Sequence, residues 1–202
     1  ACEIAEDCAV LLKNDGILPL SEEKEVLAVG ALFEKMRYQG AGSSMINAVK
    51  ITSPKTALDE MGIRYAYARG YAENSSEPDA GLIAEAVKCA EKYDTLLVFL
   101  GLTDYAESES CDREHMRLPE NQLALMDALA ETGKRIAVVL FGGAPVELPF
   151  AERVNAVLNM YLPGQSGGRA CANLLFGRAE PAGRLAETWP VSYLSLIHIS
   201  EP

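Results

Sequence analysis

The sequence predicts an α/β fold, a three-layer α/β/α sandwich with a mostly parallel central sheet. Segments typical of strands alternate with amphipathic helical segments along the chain, which indicates βαβ units with right-handed crossovers. Two strand segments, residues 95–100 and 135–141, are continuous apolar runs, as expected where helices cover both faces of a parallel sheet. The chain has 202 residues, of which 49% are apolar, and this suits one sizeable domain with a single core.

The elements follow in chain order. Residues 1–13 carry apolar side chains at helical spacing and precede an Asn-Asp-Gly stop, which predicts an N-terminal helix. Residues 25–30 are a short apolar strand, and a long glycine- and serine-bearing loop follows it. Ser53 is a suitable N-cap before Pro54, so a helix should begin there and end before Gly62. The remaining predicted elements are strands at 64–69, 95–100, 135–141 and 156–160 and helices at 80–92, 119–132 and 168–176.

The stretch of residues 101–119 is much longer than the roughly 2–6 residues that usually join a strand to a helix. It follows a buried strand, at the end of the sheet where α/β proteins bind ligands. Its charged residues are Glu107, Glu109, Asp112 and Glu114, with Arg113 and Arg117 as counter-charges. Crowded carboxylates raise the pKa of one carboxyl, which can then act as an acid near neutral pH. The alternative is a solvated acidic loop without a catalytic role.

Composition excludes several function classes. The net charge of −11 argues against nucleic-acid binding, and no apolar run approaches the roughly 20 residues of a membrane span. The N-terminus lacks the basic and apolar regions of a signal peptide, which leaves the compartment unassigned, with the cytoplasm favoured. The five cysteines are scattered and only two histidines are present, so we expect no metal site. Gly40 and Gly42 lack the third glycine of a dinucleotide fingerprint, and we expect no cofactor.

Several segments of the chain together resemble glycoside hydrolase family 3, whose members are mostly β-glucosidases and related β-glycosidases. The signature runs Gly101-Leu-Thr, then Glu107-Ser-Glu-Ser-Cys-Asp-Arg113, then Leu118-Pro-Glu-Asn-Gln122. Further matching segments, in the order of the family, are residues 10–20, Gly40-Ala-Gly-Ser-Ser44, Ser53-Pro54, residues 161–168, Leu175-Phe-Gly177, residues 181–185 and Trp189-Pro190. One departure is Ser110, where the family usually has Gly, so backbone freedom in the acidic loop differs.

The resemblance implies the second domain of that family, an α/β sandwich, over residues 1–193. Residues 194–202 match nothing in the family and resemble a translated adaptor sequence, so we exclude them and His198 from the domain. In the family, the nucleophilic aspartate and most sugar-binding residues lie on a separate (β/α)8 barrel. The resemblance therefore implies that this domain is one half of an enzyme, with that barrel as its partner in the same polypeptide and a small carbohydrate as substrate.

The resemblance also implies roles for residues of the acidic loop. Retaining glycosidases use two carboxyls, a nucleophile and an acid/base, and this domain would supply only the acid/base. Family members with this loop length place that residue at Glu109, and members with another loop length place it at Glu107. We prefer Glu109, with Glu107 as the charged neighbour that tunes it. Asp112 and Arg113 are candidate substrate-binding residues, which we expect mainly to pin the loop by a charge-assisted hydrogen bond.

Two other functions fit parts of the sequence. Residues 164–168 match the Gly-x-Ser-x-Gly elbow of serine hydrolases, with Ser166 as nucleophile. Glu180 or Glu187 would then be the acid, but the one histidine later in the chain is His198 in the excluded tail. The other alternative is a non-catalytic α/β module that only binds its partner domain.

Overall fold

A computed structural model describes residues 1–73, 75–109 and 112–193 of the protein. In this part of the chain, six strands form one sheet. The strands are β1 (Val10–Asn14), β2 (Val26–Val29), β3 (Tyr65–Ala68), β4 (Thr95–Gly101), β5 (Arg135–Phe141) and β6 (Ala156–Asn159). The helices are α1 (Cys2–Cys8), α2 (Pro54–Met61), α3 (Ala80–Ala90), α4 (Glu120–Ala130) and α5 (Gly167–Leu175). Ser110, Cys111 and the tail with His198 lie outside the described residues.

The sheet has the order β1-β6-β5-β4-β2-β3, and every neighbouring pair is parallel except β1 with β6. Alternate residues of β4 enter different apolar cores. Leu97 and Phe99 pack with residues of α1, α2 and α5, whereas Leu96 and Val98 pack with residues of α3 and α4. Helices therefore cover both faces, and the predicted three-layer α/β/α sandwich with a mostly parallel sheet is confirmed.

Local signals explain where the helices begin and end. The Ser53 hydroxyl accepts a hydrogen bond from the Thr56 amide over 3.2 Å, which is the N-cap predicted for α2, and Gly62 ends this helix with a φ of +71°. Asp79 caps α3 in the same manner, through the amides of Gly81 and Leu82. No helix within the described ranges is long and apolar enough to cross a membrane.

The predicted N-terminal helix over residues 1–13 is wrong in its second half. Helix α1 ends at Cys8, Ala9 is extended, and residues 10–14 form β1, antiparallel to β6. An apolar run of this length fits a helix or a strand equally well by periodicity. The backbone of β6 would otherwise present an open sheet edge, and pairing with β1 satisfies those groups.

The strand order places two long loops side by side. Strands β2 and β4 are neighbours, yet the chain leaves β2 toward β3 on one side and later continues from β4 toward β5 on the other. Such a reversal of strand order opens a crevice beyond the carboxyl ends of the strands. We call residues 30–52, which follow β2, the β2 loop, and residues 102–119, which follow β4, the β4 loop. Both loops border this crevice.

Candidate active site

The β2 loop and the β4 loop are joined directly at their backbones. Ala41 and Ser108 form an isolated parallel β-bridge, which places the side chains on either side of Ser108 against the β2 loop. Glu107 and Glu109 flank Ser108. Glu107 ends a short 3₁₀ turn (Tyr105–Glu107), whereas Glu109 follows the extended Ser108, and the two carboxylates contact different residues of the β2 loop, Arg37 and Ser43.

Glu109 faces outward and is held by one residue of the β2 loop. Its Oε2 accepts the Ser43 amide over 2.9 Å, and its Oε1 accepts the Ser43 hydroxyl over 2.6 Å. The side-chain and backbone hydrogen bonds from Ser43 lower the pKa of Glu109, because they stabilise the ionised carboxylate. This shift is opposite to the one that crowding predicts, since the neighbouring carboxylate of Glu107 turns away.

Glu107 faces inward and forms an ion pair with Arg37 of the β2 loop. The two side chains are only 10% and 8% exposed. Arg37 also donates through Nε to Oδ1 of Asp104 over 2.9 Å, at the start of the β4 loop. Burial lowers the pKa of Arg37, and the charge of Asp104 works in the opposite direction. Arg37 therefore ties the two loops together beneath their surface.

Asp112 and Arg113, the other two predicted site residues, are not paired with each other. Arg113 donates through Nη1 to the Pro145 carbonyl over 3.0 Å, and burial lowers the pKa of its guanidinium. Asp112 is exposed. Arg113 thus pins the β4 loop to the turn after β5, through a neutral backbone carbonyl instead of a carboxylate. Contact of either residue with a sugar stays a prediction.

A cleft of about 850 Å³ opens beside the two loops, beyond the carboxyl ends of β2 and β4. Its lining combines apolar, aromatic and charged side chains, among them Met36, Arg37, Tyr71, Asp104 and Tyr105. Such a mixture of apolar walls and a few polar groups is typical of ligand sites and of surfaces between domains.

Sequence reasoning missed Arg37 and gave no role to Ser43. Arg37 stands just before the glycine-serine stretch, within a segment predicted to be a long loop. A signal was present, because an arginine that is buried needs a carboxylate partner and the acidic β4 loop offers several. The sequence does not say which carboxylate it takes, since that depends on the side-by-side placement of β2 and β4.

The serine-hydrolase constellation does not form among the described residues. Ser166 has a φ of −97° and a ψ of 9° and lies several residues beyond the end of β6, whereas a nucleophile elbow requires a sharp, strained turn directly after a strand. His115, the described histidine, is in the β4 loop and accepts the Arg117 amide through Nδ1. Ser166 instead begins α5.

Comparison with known proteins identifies the family. The sequence model of the glycosyl hydrolase family 3 C-terminal domain matches residues 9–200. The chain is 43% identical over 195 residues to thermostable β-glucosidase B of Acetivibrio thermocellus, covering 95% of this chain and 26% of that protein. It is 35% identical over 197 residues to the exo-1,4-β-xylosidase xlnD of Emericella nidulans, covering 96% of this chain and 24% of that protein.

A solved structure agrees with these relatives. The family 3 β-glucosidase of Bifidobacterium adolescentis superimposes with a TM-score of 0.91 at 39% identity, over 96% of this chain and 29% of that one. The chain therefore spans about a quarter of the length of its relatives. By its sequence and its fold, the chain belongs to the glycosyl hydrolase family 3 C-terminal domain.

Proposed function

We propose that this domain supplies the general acid/base, Glu109, of a retaining β-glycosidase of the β-glucosidase type. The enzyme would hydrolyse terminal β-linked sugars of oligosaccharides or glycosides, and its nucleophile would come from a (β/α)8 barrel of the same polypeptide. The observation that carries the proposal is the different placement of two neighbouring carboxylates. Glu109 is exposed, whereas the side chain of Glu107 is buried against Arg37.

Glu109 suits the acid/base role better than Glu107 does. A general acid must hold a proton and reach the leaving oxygen of the substrate. Glu107 is held in an ion pair with Arg37 and has little exposed surface from which to reach a substrate. Glu109 accepts hydrogen bonds only from Ser43 among the described residues and is open to an approaching sugar.

The low pKa of Glu109 fits a site completed by a second domain. In the described structure its carboxylate is solvated and held by two donors, so the ionised form is favoured. A barrel placed over the loops would remove water and bring the nucleophilic carboxylate to within about 5–5.5 Å. Both effects raise the pKa of a carboxyl. We therefore expect Glu109 to become a competent acid only in the assembled enzyme.

An apolar surface beside the site supports the barrel as partner. Met45, Ile46, Val49 and Ile51 of the β2 loop and Tyr105 of the β4 loop are all exposed. A cluster of large apolar side chains on a surface marks an interaction site. We propose that this surface packs against the barrel, which is consistent with relatives about four times as long as this chain. The family resemblance implies that most sugar contacts lie on the barrel, so we assign no particular sugar.

The proposal is tested by chemical rescue in the full-length enzyme that contains this domain. An activated aryl leaving group departs without a proton, whereas a sugar alkoxide needs one. Glu109→Ala should reduce hydrolysis of a β-linked disaccharide by ~10²–10⁴-fold, while glycosylation by an aryl glycoside persists. Azide needs no general base, so it should restore turnover and yield a glycosyl azide of retained configuration.

Glu107→Ala is the matched control, because it removes the neighbouring carboxylate of the same loop. It should show no azide rescue. If azide rescues Glu107→Ala and leaves Glu109→Ala unchanged, the assignment is inverted. If azide rescues neither variant and disaccharide hydrolysis persists in both, the β4 loop does not carry the acid/base, and the domain is better described as a binding module.

A further inference from the structure

We propose that Ser43 is a positioning residue that orients the carboxylate of Glu109 for proton transfer. The inference rests on the proposed function, because it concerns how the acid/base is held. It is argued from the backbone of the β2 loop and from the geometry of one pair of hydrogen bonds.

Ser43 binds both oxygens of the carboxylate at once. Its hydroxyl donates to Oε1 over 2.6 Å and its amide donates to Oε2 over 2.9 Å. One donor would leave the carboxylate free to rotate about the hydrogen bond, but two donors fix both the position and the plane of the group. Preorganisation of this kind is what a proton-transfer group requires, because rate falls steeply with misalignment.

The backbone of the β2 loop is shaped to bring Ser43 close to Glu109. Gly42 has a φ of +89°, and a Cβ at this position would lie 3.0 to 3.1 Å from Oε2, Cβ and Cγ of Glu109. A side chain at residue 42 would therefore both strain the loop and occupy the space of the glutamate. The Ala41–Ser108 bridge holds the two backbones at this distance. The conformation of Gly42 and the Ala41–Ser108 bridge thus both contribute to the position of Glu109 beside Ser43.

Few charged groups near Ser43 could also shift the pKa of Glu109. The β2 loop carries no charged residue between Arg37 and Lys50. On the β4 loop, Glu107 is turned toward Arg37 and Asp112 is exposed and makes no ion pair with a described residue. The hydrogen bonds from Ser43 are the main cause of the lowered pKa of Glu109. Removing the hydroxyl should therefore move the protonation of Glu109 to higher pH.

The test compares Ser43→Ala with Ser44→Ala in the full-length enzyme, by measuring kcat/KM against pH on a β-linked disaccharide and on an aryl glycoside. The basic limb of this profile reports loss of the proton from the general acid. Ser43→Ala should move that limb to higher pH and should reduce disaccharide hydrolysis by at most ~10²-fold, with a smaller loss on the aryl glycoside. Ser44→Ala should leave both unchanged, because its hydroxyl makes no contact with Glu109 among the described residues.

Ser43→Thr retains the hydroxyl and should restore the basic limb to its original position. A merely structural role would lower activity on both substrates equally and leave the pH profile where it was. If the profiles of Ser43→Ala and Ser44→Ala coincide while Glu109→Ala still shows azide rescue, the positioning role is wrong and the proposed function stands. If Glu109→Ala hydrolyses the disaccharide normally, the proposed function itself fails.

Discussion

Glu107 and Glu109 are separated by one residue, yet the fold gives them different chemistry. The first is buried against a guanidinium, and the second is exposed and bound by a serine. Burial with a counter-charge makes a carboxylate a structural group, because removing it would leave an unpaired charge in the interior. Glu109 is exposed and accepts hydrogen bonds from two neutral donors, the amide and the hydroxyl of Ser43, so its carboxylate remains able to exchange a proton. The local environment, more than the residue type, separates the two roles.

At the residue scale, we expect Glu107→Ala to destabilise the domain by about 3 kcal/mol, at the lower end of the range for breaking a buried ion pair. The loss should not be larger, because Asp104 still accepts a hydrogen bond from Arg37. Urea unfolding of the chain measures the effect. Glu114→Ala is the control on the same loop, since Glu114 is exposed, and it should change stability by no more than about 0.5 kcal/mol. Equal urea midpoints for the two variants would contradict a structural role for Glu107.

The sequence was sufficient to predict a long acidic loop after β4, but not which of its carboxylates faces out. The acidic composition and unusual length of the β4 loop are local properties, and both are legible in the sequence. The direction of each glutamate side chain depends on the Ala41–Ser108 bridge, which is set by the neighbouring positions of β2 and β4 in the sheet. For the same reason, the sequence alone assigned no partner to Arg37. It also predicted crowded carboxylates, whereas the structure directs Glu107 and Glu109 toward different partners.

At the scale of elements, the junction of α2 and α5 fixes the end of the β2 loop. Thr52, the last residue of that loop, donates to the Gln165 carbonyl over 2.9 Å and accepts the Gly168 amide over 3.0 Å. The site therefore depends on helix packing on one face of the sheet as well as on the loops. Local signals predicted α2 closely, because Ser53, Pro54 and Gly62 are each suited to a helix end. Strand β1 was not predicted, because its pairing with β6 is a contact between distant parts of the chain.

Gly168→Ala tests this junction. A Cβ at Gly168 would lie closer than 3.0 Å to backbone atoms of Thr52, Ser53 and Pro54, so α2 and α5 must move apart. We expect the free energy of unfolding to fall by about 1–3 kcal/mol, the usual cost of overpacking, and thermal unfolding measures the change. Gly81→Ala is a matched control, because Gly81 is also in the first turn of a helix and is exposed. It should be neutral or stabilise by about 0.5–1 kcal/mol, and a comparable loss in both variants would show that helix propensity, not packing, decides the outcome.

At the scale of the whole molecule, the described structure combines a well-buried core with a cluster of exposed apolar side chains on its surface. The sheet is covered on both faces and its four inner strands, β2, β4, β5 and β6, are almost entirely buried, so the domain has what it needs to fold as a unit. The apolar cluster of Met45, Ile46, Val49, Ile51 and Tyr105 is exposed nonetheless, on the loops that hold Glu109. The surface next to the proposed acid/base is therefore also the surface that we propose packs against the barrel.

This arrangement predicts that the 202-residue chain, expressed alone, folds but does not hydrolyse an aryl β-glucoside. Retaining catalysis needs a nucleophilic carboxyl about 5–5.5 Å from the acid/base, and Glu107 cannot take that role while it is buried against Arg37. The low pKa of Glu109 would in addition leave it without a proton at neutral pH. Circular dichroism should show an α/β protein, and a chromogenic assay should show no turnover above that of the buffer. Turnover by the purified chain that Glu109→Ala abolishes would mean that the domain contains a complete active site, and the division of the two carboxyls between two domains would then be wrong.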